Sequence, residues 1–501
     1  MQQLDLCDAM VPSGIDGLDH ILRGGFPEDC LTLITGTPGT GKTTLAIQFL
    51  LEGAAREDAC LYVTLSETRA EIEKVARSHG WNLDKITIIE LIPSERNLSA
   101  EAQLTVFNPS ELELGETTEA MIAAVDAHKP TRLVLDSLSE IRLIAQSGLR
   151  YRRQVLALKH FFSGRECTVL MLDDKTGGPE DDHLQSIAHG VVSLEQSSNQ
   201  FGAERRRLRI NKMRGVAFRG GFHDFSIRRG GIKVFPRLIA SEHATEFKEE
   251  NLPSGNAQLD VLLGGGLPAG TSTLLIGPAG TGKSSIATLF AVAAVARGQR
   301  SALFIFDENV GTFRSRSRKL GIDVAEAIKN DLITVQQVDP AELSSGEFAD
   351  IVRRAAEGKD RYGVPAKVII VDSLNGYLNA MPEEKFLTAQ LHELLAYLGQ
   401  MGVATIMTVT QSGMVGSMNS PVDTTYLADN VVLFRYFESA GWVRRALSVV
   451  KKRNGHHERT IRELDMDASG IQIGEPLSDF HGILTGVPSY VGNNDNLMVK
   501  K

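Results

Sequence analysis

Cysteine is scarce in this chain: Cys7, Cys30, Cys60 and Cys167 are the only four in 501 residues, all in the first half. None forms a CxxC pair or stands at Cys/His ligand spacing, so no disulfide framework or zinc site is expected, and the reading is of reduced thiols in a cytoplasm. Long apolar runs are missing too. The richest, Ala287 to Ala296, is too short to span a bilayer, and the N-terminus shows no basic-then-apolar leader, so no membrane partner is expected. Positive charge is not in excess: the formal net charge is −9 and the pI about 5.8. With aromatics at 6% and no aromatic-plus-basic platform, tight constitutive binding to nucleic acid is disfavoured.

What is present, in duplicate, is a phosphate-binding loop. Gly36-Thr37-Pro38-Gly39-Thr40-Gly41-Lys42-Thr43 and Gly277-Pro278-Ala279-Gly280-Thr281-Gly282-Lys283-Ser284 both match GxxxxGK[ST] in full. Glycines let the backbone wrap closely enough for its N–H groups to face phosphates, and the following helix adds the positive end of its dipole. Lys42 and Lys283 can reach the β- and γ-phosphates of ATP. Thr43 and Ser284 offer Mg²⁺ the oxygen that a small hard cation prefers. Apolar strands, Cys30 to Thr35 and Ser272 to Ile276, enter the loops, and apolar helices beginning at Thr44 and Ser285 are expected to leave them.

The loops lie 241 residues apart (277 − 36), and the same shift carries Ser13-Gly14 onto Ser254-Gly255 and Leu18-Asp19 onto Leu259-Asp260. A chain of 501 residues exceeds one ordinary core, and the repeat divides it in two. The expected domains are residues 1–240 and 251–488, with a polar linker at 241–250 and a frayed tail at 489–501. Alternating strands and helices predict an α/β fold, each half a mostly parallel sheet covered on both faces.

Each half carries further acidic strand ends. Arg132-Leu133-Val134-Leu135-Asp136 and Val368-Ile369-Ile370-Val371-Asp372 end in aspartates placed to orient Mg²⁺ and its water. A lone aspartate there is ordinarily a helix N-cap; recurrence downstream of two P-loops favours the metal. The equivalent strands Tyr62 to Glu67 and Ala302 to Glu308 bring Glu67, Asp307 and Glu308 beside the γ-phosphate as candidates for handling the attacking water. Glu67 and Glu308 correspond under the same shift. The stretch from Asp173-Asp174 to Asp181-Asp182-His183 reads as an exposed acidic loop. Arg314, Arg316, Arg318 and Lys319 read as solvated surface or interface.

The approach Ser13-Gly14-Ile15-Asp16-Gly17-Leu18-Asp19 with Gly24-Gly25-Phe26-Pro27 recurs as Ser254-Gly255 to Leu259-Asp260 with Gly264-Gly265-Gly266-Leu267-Pro268. Together with Trp81 in Ser78-His79-Gly80-Trp81, these segments resemble the double-domain KaiC family of RecA-like ATPases from Val11 to Pro488. The resemblance implies two tandem RecA-like P-loop domains, each with a late β-hairpin, assembled as a two-tiered homohexamer with ATP at subunit interfaces. It also implies that a K-x-R pattern, Lys212-Met213-Arg214 and Lys451-Lys452-Arg453, enters the neighbour's site, where Lys212, Arg214, Lys451 and Arg453 stabilise charge on the transferring phosphoryl group. The basic run Arg205 to Lys212 is then a hairpin strand, and the alternation in Leu208-Arg209-Ile210-Asn211 agrees.

Departures from the family pattern shape the rest. Members commonly place two adjacent carboxylates after the second strand, the first acting as general base, whereas this chain has Ser66-Glu67 and Asp307-Glu308. The first domain is therefore expected to turn over slowly or through Glu67, and the second to remain competent. In the family's clock member the second domain phosphorylates itself on a Ser-Thr pair. Aligning Asp429 brings Thr425-Tyr426 there, with Thr424 beside it; these are candidate phospho-acceptors, a turn or helix start being the plain alternative. The leading expectation is a cytoplasmic, Mg²⁺-dependent, ATP-hydrolysing hexameric switch with Ser/Thr autokinase chemistry in its C-terminal domain and a protein signalling partner. A DNA-acting motor and an ATP-assembled non-catalytic scaffold are the other two classes, and Ser66 favours the scaffold for the first domain.

Overall fold

In the computed structural model, residues 9–91, 109–175, 185–198, 202–243, 245–339, 341–379, 387–411, 426–439, 441–484 and 489–491 are described, with backbone alone over 109–113. The chain divides into two compact units, Met1–Arg237 and Leu238–Lys501.

In the first unit a short pair, β1 (Met10–Val11) and β2 (Phe26–Pro27), precedes nine strands of one sheet. These are β3 (Leu31–Gly36), β4 (Cys60–Thr64), β5 (Thr87–Glu90), β6 (Arg132–Asp136), β7 (Thr168–Asp174), β8 (Gly190–Ser197), β9 (Arg205–Met213), β10 (Phe222–Arg228) and β11 (Gly231–Phe235). Their order is β11-β10-β9-β8-β3-β7-β6-β4-β5. Pairing is parallel from β5 across to β8 and antiparallel from β8 to β11. The central parallel strands are buried along nearly their whole length and rich in Leu, Ile and Val because both faces are covered. Along β4, Leu61 and Val63 pack with Met121 and Val155 on one side, while Tyr62 packs with Leu45 and Phe49 of the helix Lys42–Ala55 on the other.

The second unit repeats the plan. After β12 (Asn251–Leu252) and β13 (Leu267–Pro268), the sheet holds β14 (Ser272–Gly277), β15 (Arg300–Ile305), β16 (Ile333–Gln337), β17 (Ala366–Asp372), β18 (Ala404–Thr410), β19 (Asn430–Ser439), β20 (Trp442–Lys452), β21 (Arg462–Asp467) and β22 (Gly470–Pro476). The order is β16-β15-β17-β18-β14-β19-β20-β21-β22, again parallel up to β19 and antiparallel beyond. The P-loop strands β3 and β14 stand fifth from either edge, so each loop emerges at the middle of its sheet. Burying Phe49 and Phe290, on the P-loop helices Lys42–Ala55 and Lys283–Ala296, contributes about 2 to 3 kcal/mol each and fastens those helices to the sheets.

Three expectations need correction. The P-loop helices begin at Lys42 and Lys283, two residues before Thr44 and Ser285, because the left-handed Gly41 (φ 103°) and Gly282 (φ 99°) serve as their N-caps. The segment 241–250 is not a free linker: Thr245 donates from N and Oγ1 to Gln400 O, and Phe247 lies against Gly402. The tail does not start at 489, since β23 (Phe480–His481) pairs with β24 (Ser489–Tyr490) and the Tyr490 and Phe480 rings lie 4.9 Å apart. The run Arg205 to Lys212 is strand β9 as expected, with Leu208 and Ile210 buried and Arg207 and Arg209 outward over the Phe222 ring.

Candidate nucleotide sites

In the first unit the loop leaves β3 at Gly36 and its backbone turns at Gly39 and Gly41, both with positive φ. A Cβ on Gly41 would meet Ile227 Cδ1 at 2.6 Å, so β10 as well as the turn demands glycine there. Lys42 Nζ donates to Gly36 O at 2.9 Å and Thr37 O at 3.1 Å and pairs with Asp174 Oδ1 at 2.7 Å. Asp136, at the end of β6, accepts from Thr43 Oγ1 at 3.2 Å and from Tyr62 OH at 2.5 Å. Burial pushes the Asp136 carboxyl up, against the pull of those two hydroxyls and of Lys42. Glu67 is half-buried, and its Oε2 is buried without a hydrogen-bond partner among the described residues. Burial, then the charge of Asp136, raises its carboxyl above the ordinary range.

The second unit differs in its details. Lys283 Nζ donates to Gly277 O at 2.9 Å and Pro278 O at 2.6 Å. Burial lowers its ammonium to about 8 despite the opposing charge of Asp372. Asp372 accepts from Thr408 Oγ1 and Asp307 from Ser373 Oγ, both at 2.5 Å. Glu308 is held by Arg316 at 2.5 Å, and the same guanidinium donates to Ser285 Oγ at 3.1 Å. Lys283, Ser284, Ser285, Asp307, Glu308 and Asp372 line one cavity of about 370 Å³. A cavity of about 650 Å³ between β15, β16 and the helix Ser345–Glu357 contains no P-loop residue, so size does not mark the site. Thr43 with Asp136, and Ser284 with Asp372, offer oxygen donors beside a phosphate loop, the donor set that fits Mg²⁺.

The K-x-R residues stand apart from these clusters. Lys212 pairs across to Val191, level with Leu33, and the Arg214 N–H donates to His189 O, level with Leu31. Lys451 is level with Leu274, and Arg453 donates through N to Asp429 O, level with Ser272. Five strand residues, roughly 15 Å, separate each arginine from the end of the strand where its own loop begins. Their side chains bond locally: Lys212 Nζ to Gln185 O and Ala188 O at 2.8 Å, Arg214 to Ser186 O at 3.0 Å, Lys451 Nζ to Ala428 O at 2.7 Å and Arg453 to Asp429 Oδ1 at 2.9 Å. Thr424 and Thr425 lie outside the described residues, and Tyr426 is exposed in a turn.

Sequence reasoning missed several participants. Asp173 and Asp174 close strand β7 instead of opening an acidic loop: Asp173 pairs with Arg142 at 2.6 Å and Asp174 with Lys42. Residues 181–183 lie outside the described set. Arg316 turns into the cavity of the second unit, not into solvent. A shared register with the P-loop strand could have pointed to Asp174, since β7 pairs Asp174 with Gly36. Nothing local could have singled out Arg316 from its basic neighbours.

A phosphate loop at mid-sheet, an aspartate on the next strand but one, and carboxylates beside it, all occurring twice, define a tandem RecA-like P-loop ATPase. The chain belongs to the KaiC family of ATPases, whose family model matches residues 11–239 and again 252–478. It is 28% identical over 488 residues to the circadian clock oscillator protein KaiC of Synechococcus elongatus, covering 95% of this chain and 91% of that protein. The protein of the same name from Thermosynechococcus vestitus is 27% identical over 498 residues, covering 96% of this chain and 92% of its own. The circadian clock protein KaiC3 of Synechocystis sp. is 26% identical over 502 residues, covering 96% and 95%. Among the described residues no helix is long and apolar enough to cross a membrane.

Proposed function

We propose that this chain is a cytoplasmic, KaiC-like hexameric switch that binds ATP at both P-loops, hydrolyses it and reports nucleotide or phosphorylation state to a protein partner. The observation that carries the reading is the separation of loop from cation. Lys212, Arg214, Lys451 and Arg453 lie at the sheet end remote from their own loops, so if they serve a phosphoryl group it belongs to another copy. A closed ring satisfies every such pair and makes turnover depend on assembly; six copies is the number that the KaiC resemblance implies. Backbone N–H groups of the loops with Lys42 and Lys283 are placed to cradle the phosphates, and Thr43, Asp136, Ser284 and Asp372 would hold Mg²⁺, which would neutralise phosphate charge there. Glu67 in one site, and Asp307 or Glu308 in the other, orient the water and take up its proton. Within the second unit, Thr424, Thr425 and Tyr426 are the proposed acceptors of a transferred phosphoryl group.

Incubation with Mg²⁺ and γ-labelled ATP, scoring free phosphate and protein-bound label together, tests this. Label on the second unit that disappears in Lys283→Ala is expected for the autokinase. Free phosphate without bound label leaves a switch run by nucleotide state alone. DNA-stimulated release with steep salt dependence would replace the switch by a motor, and assembly without release would make it a scaffold.

A further inference from the structure

Glu67 and Glu308 occupy the same place in the repeat, yet their surroundings are opposite. In the second unit the helix Val310–Lys319 starts at Asn309, whose side chain accepts from Thr312 N at 2.8 Å. Two turns on, Arg316 folds back to the strand end. Its Nη2 meets Glu308 Oε1 at 2.5 Å, its Nε lies 3.4 Å from Oε2, and its Nη1 donates to Ser285 Oγ at 3.1 Å. The pair is largely screened from water, with side chains 25% and 19% exposed. In the first unit the 241-residue shift puts Val75 at the arginine's place, on the helix Arg69–His79. Valine offers a carboxylate nothing, and Glu67 Oε2 stays buried without a partner among the described residues.

We propose that Arg316 is a positioning residue that brakes the C-terminal site, tying Glu308 to the first turn of the P-loop helix through Ser285 so that this carboxylate cannot act on water until the ion pair opens. The inference rests on reading the second unit as an ATP-hydrolysing site in which Glu308, and not the Asp307 that accepts from Ser373 Oγ, takes up the water's proton. In that reaction the water oxygen bonds the γ-phosphorus, the bond to the β-bridging oxygen breaks, ADP leaves, and a carboxylate takes the water's proton. A carboxylate whose two oxygens face a guanidinium is fixed in direction and turned away from water. Released, Glu308 would stand half-buried beside a second acidic strand end, as Glu67 does. Burial, then the charge of Asp136, raises the Glu67 carboxyl above its ordinary value.

The test uses the full chain with the first site silenced by Lys42→Ala, measuring kcat and KM for phosphate release and nucleotide affinity by fluorescent ATP analogue. Arg316→Val is expected to raise kcat about tenfold with KM within about twofold, a general base being worth that much and more. Arg316→Lys, which keeps the charge but not the forked contact with Glu308 and Ser285, is expected to raise kcat less than Arg316→Val, and adding Glu308→Gln to Arg316→Val should abolish the gain. An unchanged or lower kcat with intact nucleotide affinity overturns the brake, as does a gain that survives Glu308→Gln. Should Arg316→Val lose nucleotide binding, Arg316→Gln takes its place, and no gain there overturns the proposal equally. If the Lys42→Ala parent binds nucleotide but releases no phosphate, the hydrolase reading of the wild-type site fails. The brake then stands only if removing Arg316 brings turnover up from zero, and falls with the reading otherwise.

Discussion

A lysine taken out of water gives up its proton early. Lys283 is such a group, lowered to about 8 from an ordinary 10.5 by burial. Between those values the folded, nucleotide-free unit has lost the proton while the unfolded chain keeps it. The unfolded state then binds more protons, and this lysine's share of stability rises with pH across that window. Phosphate makes the opposite demand, since it needs the ammonium. ATP affinity of the second site, measured in Lys42→Ala, is therefore expected to weaken above pH 8 by up to about tenfold per unit. Lys283→Arg, whose charge does not titrate there, should flatten the profile; an equally steep loss in that variant would assign the dependence to another group. Lys42 differs by its partner, the Asp174 carboxylate at 2.7 Å.

The P-loop helices were legible in the sequence because their chemistry is contiguous: eight residues specify turn, cation and hydroxyl. Even there the start was misjudged by two residues, since periodicity counts apolar side chains while the cap is a backbone event at Gly41 and Gly282. At φ 99° and with Met466 Sδ 2.5 Å from where a Cβ would stand, Gly282 has no substitute. Gly282→Ala is expected to cost upwards of about 1 to 2 kcal/mol in a denaturant titration and to abolish nucleotide binding at the second loop. A variant that binds ATP like its parent would remove the cap from the account. Asp136 and Asp372 were legible only through repetition. Tyr62, Thr408, Ser373 and Asp174 were not, because they come from neighbouring strands, and strand register is set by the packed sheet and not by local spacing. Arg316 escaped for a similar reason: its neighbours Arg314 and Arg318 carry the same charge, and only the helix's rotation against β15 decides which one faces Glu308.

For the whole molecule, the proposed sharing of sites between copies has a mixing test. Lys283→Ala chains keep the cations at Lys451 and Arg453 but lack a working second loop, and Arg453→Ala chains have the reverse defect. Co-assembled, the two are expected to recover part of the C-terminal turnover that each lacks alone, measured against the averaged rates of the separate proteins in a Lys42→Ala background. Recovery no better than that average would mean that the arginine serves its own chain's fold only, as its 2.9 Å contact with Asp429 allows. The placement that motivates the test, loop at one end of β14 and cations level with the other, gives each unit a donor pole and an acceptor pole. Head-to-tail contacts match the two poles in every copy, and such contacts either close or run on. An open row of such chains ends, for each of the two units, in one loop without cations and one set of cations without a loop. Breaking a ring at a single place would then cost two active sites, one per unit, together with one interface, so activity per chain should climb with closure and not merely with concentration.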